Sequence, residues 1–201
     1  MKKIFVVVLV IAVLSSLGCG KDKKDDSSGS QATMQTAQSN PTQQDSSKVV
    51  DERAIIFEWY SKIDNIAGKY LADWKLLWDP SLQLLTKQVA SQEELYQNHK
   101  TVYQNLNELS NKLINYEMMY REVRIPNEIS ADKKEQMLQI QNLYADGVKK
   151  MRESVDVMKM MAMRSNFPQS EKDKVTSMSS EASTMFTNAN KKWEQFKQKL
   201  K

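Results

Sequence analysis

The sequence predicts an all-α fold, an elongated up-down-up-down four-helix bundle that follows a disordered N-terminal linker. Apolar residues recur at steps of three and four through 49–201, which is typical of amphipathic helices. Prolines and polar turns separate four such amphipathic segments, and the chain has only 5 Gly and 4 Pro. Four helices joined by short turns pack most simply as a bundle. Near-heptad spacing also suits coiled coils, so three to four long helices that assemble between chains as a homo-oligomer are an alternative.

The first amphipathic segment ends in a region with several residues that typically start or stop helices. Asp79 and Pro80 supply a cap and a first-turn proline, which predicts that one helix ends there and another begins. Ser91 and Glu94 form a capping-box pattern, which predicts a kink or short break near Ala90. The first apolar stripe comprises Ile56, Trp59, Ile63, Ile66, Tyr70, Trp74 and Leu77.

The remaining three amphipathic segments have equally regular apolar stripes. Pro126 closes the second helix, Ser130 is placed to cap the third, and "SNFPQS" marks the last turn. At 1.5 Å per residue, helices of this length predict a rod about 45 to 60 Å long. The second stripe is Leu95, His99, Val102, Leu106, Leu109, Leu113, Tyr116 and Tyr120; the third is Met137, Ile140, Tyr144, Val148, Met151, Val155, Met158 and Ala162; the fourth is Val175, Met178, Ala182, Met185, Ala189, Trp193, Phe196 and Leu200.

The amino terminus is typical of a secretory signal. Lys2 and Lys3 provide positive charge, and Ile4 to Leu14 form an apolar run that is short for a membrane span. Small or apolar residues then lead to Cys19, the only cysteine of the chain. A lone cysteine cannot form an internal disulfide, so the domain must be held together by buried helix faces.

The segment "SLGC" resembles a bacterial lipobox. The resemblance implies that the signal is cut after Gly18, that Cys19 receives a diacylglycerol on its sulfur, and that its new amino group is acylated or otherwise capped. Ser16 departs from the family pattern, which has a branched apolar residue three places before the cysteine. An ordinary secreted protein with a free thiol at Cys19 and an uncleaved membrane helix are the alternatives. Several acyl chains give firm attachment to a membrane.

These observations divide the chain into three parts. Residues 1–18 are a cleaved signal peptide, 19–48 the lipidated cysteine with a flexible linker, and 49–201 the helical domain. The linker is rich in Ser, Gln, Thr and Asp, and as a coil would span roughly 30 Å. We expect a lipid anchor on the extracytoplasmic face of the cell membrane, or of an outer membrane if the source is Gram-negative.

Charge and motifs argue against several classes of function. The formal net charge is +4, and removal of Lys2 and Lys3 leaves +2, with acidic and basic residues interleaved. This is not the basic surface of a nucleic-acid binder. Neither a Gly-rich phosphate loop nor a catalytic triad motif appears, so we predict no cofactor and no enzymatic activity.

Three features are candidates for chemistry, and each also has a structural explanation. His99, the only histidine, is interpreted as a structural residue that reaches a neighbouring polar group or lies at the bundle edge. Trp78 is the tryptophan predicted to make a surface contact, since the other three lie on the apolar stripes. "MKMMAMR", residues 158–164, could offer thioethers to Cu(I), but Met158 and Met161 share one face while Met160 and Met163 share another.

The sequence therefore predicts a lipid-anchored, extracytoplasmic helical binding or scaffold module. Its partners would be membrane lipid through acylated Cys19 and another envelope component, either a membrane protein or the cell wall. The alternative is a small-ligand or copper carrier that uses the Met-rich helix.

Overall fold

A computed structural model describes residues 51–200, which form four long helices. They are α1 (Glu52–Thr86), α2 (Gln92–Glu122), α3 (Ala131–Arg164) and α4 (Gln169–Lys199). Short segments connect them, so each helix runs antiparallel to the one before it. The helices pack against one another as an all-α four-helix bundle, which confirms the fold class predicted from the sequence.

Each helix packs against the next one in the chain, and aromatic side chains join the last helix, α4, to the first, α1. The backbones of α1 and α2, of α2 and α3, and of α3 and α4 approach within 8 Å. Helices α1 and α4 meet through larger side chains: the Tyr60 and Trp193 rings stack at 3.8 Å, and Tyr70 lies 5.7 Å from Phe186. The start of α1 and the end of α4 therefore share one end of the bundle, the proximal end. We call the opposite end, where α3 joins α4, the distal end.

The predicted stripes of α1 and α3 form the core in full, since all of their residues are buried. In α2 the stripe is buried from Val102 to Tyr120, while Leu95 and His99 are half-buried. In α4 the prediction is partly wrong. Ser179 and Phe186 are buried where Met178 and Met185 were expected, and those methionines are half-buried.

Phe186 replaces Met185 in the core because α3 offers it a space that only glycine leaves open. A Cβ atom built on Gly147 would lie 2.7 Å from the Phe186 ring. The ring thus packs directly on the α3 backbone, as close packing of a protein interior requires. On α4 itself, the small residues Ala182 and Ala189 are also buried.

The prediction that α1 ends at Asp79 and Pro80 is wrong, because α1 continues through Pro80 to Thr86. A proline inside a helix removes one backbone hydrogen bond and crowds the carbonyl four residues earlier, here that of Leu76. Burial on both sides of the proline holds the helix together, since Trp78 and Ser81 are each 1% exposed. Ser81 Oγ also donates a hydrogen bond to the Leu77 carbonyl oxygen at 2.6 Å.

The predicted break near Ala90 is confirmed, and a reciprocal capping arrangement defines it. Helix α1 ends at Thr86 and α2 begins at Gln92. The Glu94 backbone N donates to Ser91 Oγ at 3.1 Å, and the Ala90 backbone N donates to Glu94 Oε2 at 2.9 Å. Both bonds satisfy amide groups that a helix start leaves unpaired.

Ser130 occupies the predicted capping position of α3, but its side chain makes no capping hydrogen bond. Instead its backbone N donates to Glu52 Oε1 at 2.8 Å. Glu52 also pairs with Lys133, and these contacts lower the pKa of the Glu52 carboxyl. The first turn of α1 is thereby joined to the first turn of α3 at the proximal end.

Candidate functional site

His99 joins α2 to the turn between α3 and α4 at the distal end. Its Nδ1 lies 2.8 Å from Ser165 Oγ, and its ring lies 5.4 Å from the ring of Phe167. This geometry gives His99 the neighbouring polar group that the sequence interpretation required. Burial lowers the pKa of His99, so the imidazole is predominantly neutral at pH 7.

Ser165, the partner of His99, ends α3 in a strained backbone conformation. Its φ of 51° lies in the left-handed region, which glycine normally occupies at this position. Its backbone N donates to the Ala162 carbonyl oxygen, and the backbone N of Asn166 donates to that of Met161. Serine rather than glycine here costs about 1 kcal/mol or more, and its side chain supplies the hydrogen bond that fixes the turn to α2.

Exposed apolar side chains lie close to this fixed turn. Tyr96 on α2 is 59% exposed, and Met160 and Met163 on α3 are 38% and 54% exposed. Single exposed apolar residues are common on protein surfaces, so their relative positions decide whether they form one patch.

The register between α2 and α3 places these residues on one surface. Ser110 Oγ donates to Asp156 Oδ1 at 2.8 Å, which makes residues 110 and 156 neighbours. One heptad towards the distal end, the equivalent positions are Tyr103 on α2 and Met163 on α3. The contact between His99 and Ser165, further along, agrees with this register to within two residues. We call the resulting patch the distal surface; its residues are Tyr96, His99, Tyr103, Met160, Met163 and Phe167.

The Met-rich segment is divided between the core and this surface. Met158 and Met161 are buried, whereas Met160 and Met163 are exposed. The four thioethers therefore point to two different faces, as their spacing predicted. Among residues 51–200 no group of three or more His, Cys, Asp or Glu side chains is arranged to hold a metal ion.

The prediction that Trp78 makes a surface contact is wrong. Trp78 is 1% exposed and stacks on Trp74, with ring centroids 4.7 Å apart. The prediction assumed that α1 ended beside Trp78. Because the helix continues, the residue faces the bundle instead. Trp59, Trp74 and Trp193 are buried, as their stripes indicated.

Interhelical polar contacts inside the bundle were not foreseen from the sequence. Tyr116 on α2 donates a hydrogen bond to the Asp73 carboxylate on α1, and Lys112 Nζ lies 3.1 Å from Asp73 Oδ1. Burial would raise the pKa of Asp73, but the bonds from Tyr116 and Lys112 outweigh it and lower that pKa. Tyr144 donates to Asn190, and its hydroxyl lies 3.1 Å from that of Tyr60. Tyr116 and Tyr144 belong to the predicted stripes, but the spacing of a stripe does not indicate which polar residue of another helix its hydroxyl groups meet.

Gly18 and Cys19, the predicted cleavage and lipidation residues, lie outside the described residues. Within the described residues, none of the helices is both long and apolar enough to cross a membrane. No protein-family model matches the chain, and neither a curated protein nor a solved structure matches it.

Proposed function

We propose that this protein is a lipid-anchored, extracytoplasmic binding module whose distal surface contacts another protein of the cell envelope. The observation that carries the proposal is the exposed apolar patch beside a conformationally fixed turn. Tyr and Met are enriched at the centres of protein interfaces, where Tyr offers a rigid ring and Met an adaptable side chain. The contact between His99 and Ser165 keeps this patch ordered before a partner arrives.

The direction of the chain supports this assignment. Cys19 precedes α1, whose first residue lies at the proximal end. Helix α1 has 35 residues, so the distal surface lies about 50 Å from the point where the chain from Cys19 enters the bundle. A module anchored at Cys19 can therefore present the distal surface to a partner in the envelope space.

The shifted titratable groups support a structural rather than a catalytic use of the charged residues. The pKa values of Glu52 and Asp73 are lowered by partners on other helices. Hydrogen bonds to Asp146 and Glu117 raise the pKa of Arg121. These groups contribute contacts between helices, so their shifts have a structural explanation.

The anchor is tested by the Cys19→Ala variant in cells supplied with a radiolabelled fatty acid. The wild-type protein should carry label and sediment with membranes. The variant should lose the label and accumulate as precursor or soluble protein. Equal labelling of both proteins would refute lipidation at Cys19.

The binding surface is tested by purification of complexes from cross-linked native membranes. Tyr96, Met160 and Met163 are replaced together by serine. The matched control replaces three exposed apolar residues from other parts of the bundle, Ile114, Met118 and Leu138. Wild type and control should recover the same specific protein, and the distal variant should lose it. Equal recovery by all three would exclude the distal surface.

A further inference from the structure

The last turns of α4, at the proximal end of the bundle, carry an excess of basic side chains. The last turns of α4, residues 189–199, contain four lysines and one glutamate, a net charge of +3. The first turns of the same helix, residues 169–179, contain two lysines and two carboxylates. One end of α4 is therefore basic, while the other is neutral.

Several of these basic groups have no ionic partner within the bundle. Glu194 pairs with Lys197 at 2.7 Å. Among residues 51–200, Lys191, Lys192 and Lys199 have no carboxylate within 4 Å, and Lys192 Nζ instead contacts the Gln139 amide oxygen at 3.0 Å. All three lysines are exposed. Their charge is available to an anionic partner.

An aromatic cluster joins this basic end to the start of α1. The ring of Phe57, which is exposed, meets that of Trp193 edge-on at 5.5 Å. Lys197 Nζ lies 5.7 Å from the Trp193 ring, and the Arg53 guanidinium lies 5.8 Å from the Phe57 ring. Basic side chains combined with an exposed aromatic ring are typical of protein surfaces that lie at a membrane interface.

We propose that this surface, comprising Arg53, Phe57, Lys191, Lys192, Lys197 and Lys199, docks on anionic lipid headgroups. The inference rests on the proposed anchor, because the chain from Cys19 enters the bundle at this same end. A tethered domain meets its own membrane at a high effective concentration, so a weak electrostatic contact suffices. Docking at the proximal end leaves the distal surface directed away from the bilayer.

The expected gain in membrane affinity follows from the number of lysines without a carboxylate partner among the described residues. Each Lys near an anionic membrane surface strengthens binding by about fivefold, so three contribute roughly 100-fold. The attraction acts over about 8 Å at physiological ionic strength, which limits it to side chains that approach the headgroups. Phe57 adds a small apolar contact that salt does not screen.

Lysine acetylation followed by mass spectrometry tests the contact residue by residue. The mature chain is held through Cys19 on vesicles of neutral phosphatidylcholine or of phosphatidylcholine with phosphatidylglycerol. If Cys19 carries no natural lipid, its free thiol is coupled to maleimide lipid, so docking is measured whether or not the anchor proposal is correct. On anionic vesicles, acetylation of Lys191, Lys192, Lys197 and Lys199 should slow at least fivefold relative to neutral vesicles, and 0.5 M salt should abolish the difference.

Three other exposed lysines that also have no carboxylate within 4 Å among the described residues serve as an internal control: Lys75, Lys100 and Lys174. Their acetylation rates should be the same on both kinds of vesicle. Equal rates for the proximal lysines on both vesicles would overturn the proposal. Protection of both sets to the same extent, or of the control set alone, would also overturn it.

A pair of variants with equal charge removes any effect of net charge. K191Q/K192Q/K199Q should lose the protection of Lys197 on anionic vesicles, whereas K75Q/K100Q/K174Q should retain it. Both sets of residues are exposed, so both variants should keep the helical circular dichroism of wild type. Retained protection of Lys197 in the proximal variant would overturn the proposal.

Discussion

Replacement of Trp78 by alanine should destabilise the bundle far more than replacement of its exposed neighbour Leu76. The two residues are two positions apart on α1, yet Trp78 is 1% exposed and Leu76 is 65% exposed. If α1 ended at Asp79, as the sequence suggested, Trp78 would tolerate the change. The comparison therefore tests the continuation of the helix through Pro80.

The expected loss in free energy of unfolding for Trp78→Ala follows from the burial of the indole. A buried aromatic side chain removes about 200 Å² from water, which at about 25 cal/mol per Å² corresponds to roughly 5 kcal/mol. The Trp78 Nε1 atom is buried without a hydrogen-bond partner among the described residues, and this offsets about 1 kcal/mol or more. Trp78→Ala should therefore lower the free energy of unfolding by about 3 to 4 kcal/mol, and Leu76→Ala by no more than about 0.5 kcal/mol.

Urea unfolding followed by circular dichroism at 222 nm measures both changes. If Trp78→Ala is too unstable to purify, Trp78→Phe retains most of the apolar contact without the unpaired N–H group, and should cost less than about 1.5 kcal/mol. A loss below 1 kcal/mol for Trp78→Ala, or equal losses at both positions, would refute the burial of Trp78.

Three further predictions concern packing, pH and capping. Gly147→Ala should destabilise the bundle by about 1 kcal/mol through its clash with the Phe186 ring, as measured by urea unfolding, but should be neutral or stabilising in a Phe186→Ala background. Burial lowers the pKa of His99 in the folded state, so the unfolded chain gains the proton first as pH falls through about 6.5. The free energy of unfolding of the wild type, measured against pH, should therefore fall there relative to that of His99→Gln. Parallel pH profiles for the two proteins would contradict this. Ser91→Ala should cost about 1 kcal/mol in thermal unfolding, and no change in Tm would exclude the cap.

The fold could be predicted from the sequence because apolar periodicity is a local property of each helix. The stripes of α1 and α3 were predicted residue by residue, and the Ser91 cap was predicted from its spacing to Glu94. The position of Phe186 could not be predicted, since it depends on Gly147, a residue of another helix. Pro80 was misleading because its local preference is outweighed by the burial of Trp78 and Ser81, a tertiary effect.

The distal surface was predictable only in part. The division of the methionines into two faces followed from helical spacing, and the structure has the same division. That Met163 lies level with Tyr103 depends on the register between α2 and α3, which the Ser110–Asp156 bond sets. The partner of His99 was also hidden, because Ser165 is 66 residues away in the chain.

Photo-cross-linking in native membranes tests most directly whether the distal surface binds an envelope protein. A photoreactive amino acid replaces Met163 in one variant and Met118, an exposed methionine outside the distal surface, in the other. The proposed function predicts one discrete cross-linked product from position 163 and none of that mass from position 118. No discrete product from position 163, or the same product from both positions, would contradict it.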